Sequence, residues 1–180
     1  MQKINQYIVI GFLLGFFCYA PKALATSDLQ LSSDAIRFST NKFIVGKTIT
    51  VYVDVDNIGD EDGSGQVAIY LNTNQLLEGG LPVSVVPSKP DTVFTTLVVP
   101  ENDFRIYTEI SGTLPKDANL GNNSLITSVK KVEFDADGDG ITDQNDTDDD
   151  NDGLSDQQEA SLGTDPKKAD TDGDGVNDKD

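Results

Sequence analysis

Apolar and polar residues alternate along much of the segment 26–133, and this alternation predicts β-strands. In TITVYVDV, Thr48 to Val55, every second residue from Ile49 is apolar, which is the period of a strand with one buried face. The opening stretch, 28–38, predicts a first strand that breaks near Ser32 and Ser33. Four further segments predict strands: 66–71, 91–99, 103–110 and 124–134.

Short strands separated by turns rich in Gly, Pro and Asn, without a convincing long helix, predict an antiparallel sandwich. Four stretches occur in a recognisable order: DLQLS…IRF, GKTITVYVDVDNIGD, VAIYL and LGNNSLITSVKKV. This order resembles the CARDB-type domain, an immunoglobulin-like bacterial module linked with cell adhesion. The resemblance implies an all-β, immunoglobulin-like sandwich over residues 26–133.

The first 25 residues predict a cleaved signal peptide. Lys3 precedes an apolar run from Ile8 to Ala20, and the segment ends in Ala23-Leu24-Ala25, a small-x-small cleavage pattern. The apolar run is shorter than the roughly 20 residues that a membrane-spanning helix needs. We therefore expect an exported protein without a membrane span, either secreted or at the cell surface, with the periplasm as a further candidate compartment.

Negative charge is concentrated in the acidic tail, residues 134–180. The chain has a formal net charge of -18, and the tail holds 17 acidic residues against three lysines. Such a segment repels itself and has little apolar surface to bury. Nucleic acid and anionic membranes are poor partners for it. The tail is either a disordered acidic segment or a site for cations.

Spacing favours the cation site, because D-x-D-x-D-G occurs three times. Calcium takes six to eight oxygen ligands, which alternate carboxylates of a tightly turning loop can supply, and glycine permits the turn. Loop positions 1, 3 and 5 are Asp135, Asp137 and Asp139, then Asp148, Asp150 and Asp152, then Asp170, Asp172 and Asp174. Further predicted ligands are the position-7 carbonyls of Ile141, Leu154 and Val176, the position-9 acids Asp143, Asp156 and Asp178 through water, and the position-12 acids Asp146 and Glu159.

Position 12 of the third loop would fall one residue beyond Asp180. We expect that the natural chain continues, that solvent completes a weaker site, or that the terminal carboxylate substitutes. Magnesium is disfavoured because it demands octahedral geometry and keeps its waters. Zinc and copper are disfavoured because the chain has no histidine, and its only cysteine, Cys18, lies in the signal peptide.

The loops do not have the surroundings of EF-hands. The first two begin 13 residues apart, which leaves no room for a helix, and the next interval is 22 residues. That interval holds SDQQEASLGTDP, which predicts one short helix capped by Ser155 and Gln158 and ended by Gly163. The chain contains DxDxDGxxDxxE followed by GTDP…DTDGDG. This combination resembles bacterial thrombospondin type 3 repeats. The resemblance implies an extended segment, ordered by calcium ions in place of a hydrophobic core, in which neighbouring loops can share ions.

These features predict an exported structural or adhesion protein rather than an enzyme. The sequence contains no G-x-S-x-G motif, no histidine and no cysteine beyond the signal peptide. These absences exclude catalysis by Ser/His or Cys/His pairs and by zinc. The expected partners are calcium ions and a cell-surface protein or polysaccharide. The alternative is a non-catalytic binding module at the N-terminus of a larger secreted hydrolase or surface protein; calcium storage or sensing ranks last.

Two weaker site candidates lie in the sandwich. The acidic stretch from Asp54 to Gly63 lacks the D-x-D-x-D-G register, so a solvated hairpin loop is the preferred interpretation. Tyr52, Tyr70 and Tyr107 could form a sugar-binding platform, although tyrosines more often cover an exposed sheet face.

Overall fold

The computed structural model describes residues 25–180, so the predicted signal peptide lies outside the described residues except for Ala25. Two four-stranded antiparallel sheets form a sandwich. In the first sheet, β3 pairs with β1 and β2 along one side and with β6 along the other. The second sheet has the order β5-β4-β7-β8. The strands are β1 Leu29–Gln30, β2 Ile36–Phe38, β3 Thr48–Asn57, β4 Gly63–Leu71, β5 Gln75–Val85, β6 Asp91–Val98, β7 Ile106–Leu114 and β8 Ser124–Ile126.

The core consists of the alternating apolar residues of both sheets, as the sequence predicts. Val51, Val53 and Val55 of β3 are fully buried, as are Val67 and Ile69 of β4 on the facing sheet. Apolar side chains on the same face of a pleated strand bury together, and this burial drives the two sheets into contact. The all-β, immunoglobulin-like prediction is confirmed.

Several strand boundaries differ from the prediction: β4 begins at Gly63 rather than at residue 66, and β7 spans Ile106–Leu114 rather than 103–110. β5 is not anticipated, because most of its side chains are exposed and Gly79, Gly80 and Pro82 interrupt any alternation. The predicted strand 124–134 is too long, since only Ser124–Ile126 pairs continuously with β7. After Ile126 the chain leaves the second sheet. Its backbone then forms isolated bridges, first to the segment before β7 and next to the segment before β3.

The crossing segment anchors the acidic tail to the sandwich. Lys130 pairs with Phe104, and Glu133 pairs with Ile44 close to the start of β3. The Glu133 amide donates a hydrogen bond to the Phe43 carbonyl, and the Glu133 carbonyl accepts one from the Val45 amide, both at 2.9 Å. The first acidic loop therefore begins directly at the surface of the sandwich.

One α-helix, α1, spans Asp156–Leu162 within the tail, and a short 3₁₀ helix spans Leu120–Asn122 in the sandwich. The predicted capping box is present, with Ser155 and Gln158 satisfying each other's backbone amides. Gly163 ends α1 in the left-handed conformation, φ 86°. In the part of the chain that the structure describes, no helix has the length and apolar character to cross a membrane.

Candidate metal centre

Three acidic loops, residues 135–146, 148–159 and 170–180, share one pattern of hydrogen bonds. In each loop the position-3 carboxylate accepts the position-5 amide, and the position-5 carboxylate accepts the position-7 amide, at 2.7 to 3.1 Å. Aspartate favours such turns because its short side chain reaches backbone amides two residues ahead. The position-6 glycines have positive φ angles: Gly140 99°, Gly153 94° and Gly175 93°.

The position-9 aspartates, Asp143, Asp156 and Asp178, close the loops. Each side chain accepts the amide of loop position 2, at 2.9 to 3.1 Å. Each backbone amide donates to the carbonyl just before the loop, at 2.9 to 3.0 Å. These carboxylates, which the sequence predicts as ligands through water, therefore form direct loop-closing bonds in the structure.

Closure brings the first three aspartates of each loop together. In each triad, one carboxylate oxygen per residue lies within 4.8 Å of the other two, a spacing that could hold a metal ion. The triads are the ones that the spacing predicts: Asp135, Asp137 and Asp139; Asp148, Asp150 and Asp152; Asp170, Asp172 and Asp174. The predicted carbonyl ligands follow each triad at position 7, where the amides of Ile141, Leu154 and Val176 bond to the position-5 carboxylates.

Several carboxylate oxygens of the first two loops are buried without a hydrogen-bond donor among the described residues. Both oxygens of Asp135 and both of Glu159 are in this state, together with Asp148 Oδ1 and Asp150 Oδ2. Glu159 is fully buried. An ionised carboxylate without donors is costly to bury, and either a bound cation or a proton offsets that cost. The third triad has no such oxygen within residues 25–180 and is more exposed.

The pKa values of the second loop reflect this crowding. Burial raises the pKa of Glu159 to about 7, with further increases from Asp150 and Asp152. Burial also raises the pKa of Asp150, and the nearby carboxylates of Asp152 and Asp148 add to the effect. In the third loop, by contrast, backbone amides led by that of Gly175 lower the pKa of Asp170. The second loop is therefore the one in which uncompensated negative charge is greatest.

The two predicted position-12 acids have different surroundings. Glu159, in α1, lies close enough to Asp150 and Asp152 for their charges to raise its pKa. Asp146 bonds to the start of the second loop instead, because its Oδ1 accepts the amides of Thr147 at 2.7 Å and Asp148 at 3.2 Å. Both acids lie outside the triads that could hold an ion.

The loops contact one another through polar side chains. Asn151 Nδ2 of the second loop donates to Asp137 Oδ2 of the first at 3.0 Å. The Lys179 amide of the third loop donates to Asp152 Oδ2 of the second at 3.1 Å. The tail is thus a connected series of loops in the structure.

Lysines approach the first loop from two sides, and the sequence pattern does not anticipate them. Lys47, from the sandwich, has its Nζ 3.9 Å from Asp135 Oδ2. Lys167, which follows α1, donates to Asp143 Oδ2 at 2.5 Å and lies 4.0 Å from Asp149 Oδ2. Asp149 is outside the D-x-D-x-D-G register and yet buried. Sequence spacing alone offers no signal for these long-range contacts.

The two weaker candidates in the sandwich, the acidic stretch 54–63 and the three tyrosines, do not form sites in the structure. Asp54 forms a bidentate pair with Arg37, at 2.5 and 2.8 Å, which lowers the pKa of Asp54 mainly through the hydrogen bond from Arg37. Tyr70 and Tyr107 lie side by side on the second sheet, with ring centroids 5.6 Å apart. Tyr52 lies on the first sheet beside a different aromatic residue, so the three tyrosines do not form one platform.

Comparison with known proteins finds one similarity in sequence and several in structure. Residues 148–169 match the family model of the bacterial TSP3 repeat. No curated protein matches the chain significantly in sequence. The sandwich resembles a CARDB domain from Pyrococcus furiosus, solved in complex with di-metal ions, at 21% identity and a TM-score of 0.50, over 59% of this chain and 89% of that one.

Two other solved structures are similar over a comparable share of the chain. A solution structure of the same P. furiosus domain gives a TM-score of 0.47 at 21% identity, covering 61% of this chain and 97% of that one. A β-glucosidase from Listeria innocua gives a TM-score of 0.42 at 16% identity, covering 59% of this chain and 16% of that one. The P. furiosus crystal structure thus shows that the sandwich has the fold of a CARDB domain, and residues 148–169 of the acidic tail match the bacterial TSP3 repeat.

Proposed function

We propose that this chain is an exported, non-catalytic structural module whose acidic tail is ordered by calcium. The tail, residues 134–180, sets distance and rigidity, and the sandwich, residues 26–133, contacts a cell-surface protein or polysaccharide or spaces out other modules. The TSP3 match and the CARDB-like fold support the class of protein. The observation that carries the calcium proposal is the set of buried carboxylate oxygens without donors, above all those of Glu159 and Asp135.

The chemistry of these groups favours a hard divalent cation. Every candidate side-chain ligand is a carboxylate, and calcium prefers oxygen ligands in flexible sites of high coordination number. When bound, calcium supplies the positive charge that offsets several carboxylates at once. Asp135, Asp137 and Asp139 would hold one ion, and Asp148, Asp150, Asp152 and Glu159 a second. Asp170, Asp172 and Asp174 would form the more open third site.

The protein's own residues hold the carboxylates of each loop in place. The repeated side-chain-to-amide bonds fix the three carboxylates of each triad on one side of the turn. The position-9 aspartates join the two ends of each loop. Pre-organisation of this kind lowers the entropy that ion binding must overcome.

Limited proteolysis tests the proposal. Trypsin can cut the tail after Lys167 and Lys168, and the sandwich after the exposed Lys42 and Lys116. We expect millimolar calcium to slow tail cleavage at least about tenfold, because local opening must then release bound ions. Cleavage after Lys42 and Lys116 serves as the internal control for direct effects of calcium on trypsin.

A matched pair of variants separates the loops from general charge effects. Asp150→Asn removes one carboxylate of the second triad, whereas Asp62→Asn removes an exposed carboxylate of the sandwich. We expect calcium protection to weaken in D150N and to persist in D62N. Equal tail cleavage with calcium, with magnesium and without either ion would refute the proposed function.

A further inference from the structure

Lys167 connects parts of the tail that lie far apart in sequence. It follows α1 and precedes the third loop, yet its ammonium group contacts residues of the first two loops. Nζ donates to Asp143 Oδ2 at 2.5 Å, lies 4.0 Å from Asp149 Oδ2, and lies 5.9 Å from the ring centroid of Phe134. Two carboxylates and an aromatic ring therefore surround this ammonium group.

The partner of Lys167 is the residue that closes the first loop. Asp143 Oδ1 accepts the Ala136 amide at 2.9 Å, and the Asp143 amide donates to the Phe134 carbonyl at 2.9 Å. Lys167 binds the other oxygen of the same carboxylate. It thereby fixes the Asp143 carboxylate in the orientation that holds the loop closed around Asp135, Asp137 and Asp139.

Asp149 strengthens this arrangement. Its side chain is buried and lies at the junction of the first two loops, outside both triads. Its Oδ2 lies 4.0 Å from Lys167 Nζ, which also binds Asp143. Lys167 thus supplies the positive charge at a place where two carboxylates meet outside the triads.

We propose that Lys167 is a positioning residue for cation binding at the first loop, acting through Asp143. This inference rests on the proposed calcium function and adds a residue that the repeat pattern does not contain. Two effects oppose each other here. A fixed positive charge near the site repels an arriving divalent ion, so charge alone predicts that removing Lys167 tightens binding. Loss of loop closure predicts the reverse, and our proposal is that positioning outweighs repulsion.

The test uses residues 26–180 with three variants: Lys167→Met, Lys167→Arg and Lys168→Met. Lys168 is the matched control, since within residues 25–180 its ammonium pairs only with Asp165, three residues away at 3.5 Å, and both side chains are exposed. Calcium chloride is titrated while the backbone amide signals of Gly140, Gly153 and Gly175 are followed by NMR. Each glycine reports on one loop, so the three affinities are measured separately.

We expect K167M to weaken calcium binding at Gly140 by about fivefold, the scale of one charge-assisted hydrogen bond on a half-exposed side chain. Binding at Gly175 stays unchanged, K167R restores most of the loss at Gly140, and K168M behaves as the wild type. The rescue matters because a guanidinium keeps the charge and can still bond to Asp143.

Unchanged or tighter binding at Gly140 in K167M overturns the proposal. An equal loss at all three glycines, or no rescue by K167R, also overturns it, because either result indicates general disruption of the tail. If the wild-type chain itself shows no calcium response at any loop, the proposed function fails and this inference fails with it. The wild-type titration thus distinguishes failure of the function from failure of the Lys167 role.

Discussion

Replacement of Glu159 by glutamine probes the most uncompensated group in the tail. The Glu159 carboxylate is fully buried and accepts no hydrogen bond from the described residues. Burial, followed by the charges of Asp150 and Asp152, raises its pKa from 4.5 to about 7. The metal-free protein therefore favours the protonated acid, whereas calcium binds the carboxylate. Two pH trends of opposite sign follow.

The first trend concerns the metal-free tail. Because the folded pKa of Glu159 is raised, its contribution to stability is complete below pH 4.5 and is lost as the pH rises through about 7. The second trend concerns calcium affinity, which rises over the same range. With a pKa of about 7, Glu159 is ionised in about one molecule in eleven at pH 6 and in about ten in eleven at pH 8. This group alone therefore makes calcium bind the second loop about tenfold more tightly at pH 8 than at pH 6.

Calorimetry at pH 6 and pH 8, in pairs of buffers with different ionisation enthalpies, measures both affinity and proton release. The wild type should release about 0.9 proton per ion bound at the second loop at pH 6 and about 0.1 at pH 8. E159Q should lose this release and bind calcium more weakly at pH 8. Glu101→Gln, at an exposed sandwich residue, is the control and should keep the wild-type response. Identical pH dependence in the wild type and E159Q would refute the reasoning.

Three further predictions concern the sandwich. Asn57→Ala should lower the free energy of unfolding by about 3 kcal/mol in chemical denaturation, since the buried amide makes four hydrogen bonds; a loss below about 1 kcal/mol would contradict this. Gly59→Ala should cost about 2 kcal/mol in the same assay, because a Cβ atom would overlap the Thr26 carbonyl oxygen; wild-type stability would count against that contact. Glu109→Gln should lower the pKa of Tyr70 towards that of a free tyrosine in a spectroscopic titration, since the hydrogen bond to Glu109 raises it. The wild type should correspondingly lose stability as the pH rises above about 10, and an unchanged Tyr70 titration in E109Q would exclude this cause.

The parts of the structure that the sequence predicts well are those that depend on local patterns of residues. Alternation identifies the buried face of β3, and the triads follow from the spacing of D-x-D-x-D-G. The capping box of Ser155 and Gln158 also spans only four residues. Each of these features depends on neighbours within one turn or one pleat, so the sequence contains the information directly.

The features that the sequence did not predict depend on distant contacts. Lys167 meets Asp143 across 24 residues of chain, and no spacing rule connects a lysine after a helix to a loop before it. The burial of Asp149 arises from the same packing of loops. β5 was missed because it is mostly exposed, so hydrogen bonding to β4 rather than burial of an apolar face defines it.

Calorimetric titration of calcium into metal-free protein, residues 26–180, with circular dichroism before and after, tests the central claim most directly. The account predicts that two or three ions bind, with dissociation constants of about 10⁻³ M or tighter. It also predicts that the tail gains order and that magnesium gives no matching response. Absence of binding up to about 5 mM calcium, beyond the range of extracellular calcium modules, would contradict it and leave the acidic tail without a cation.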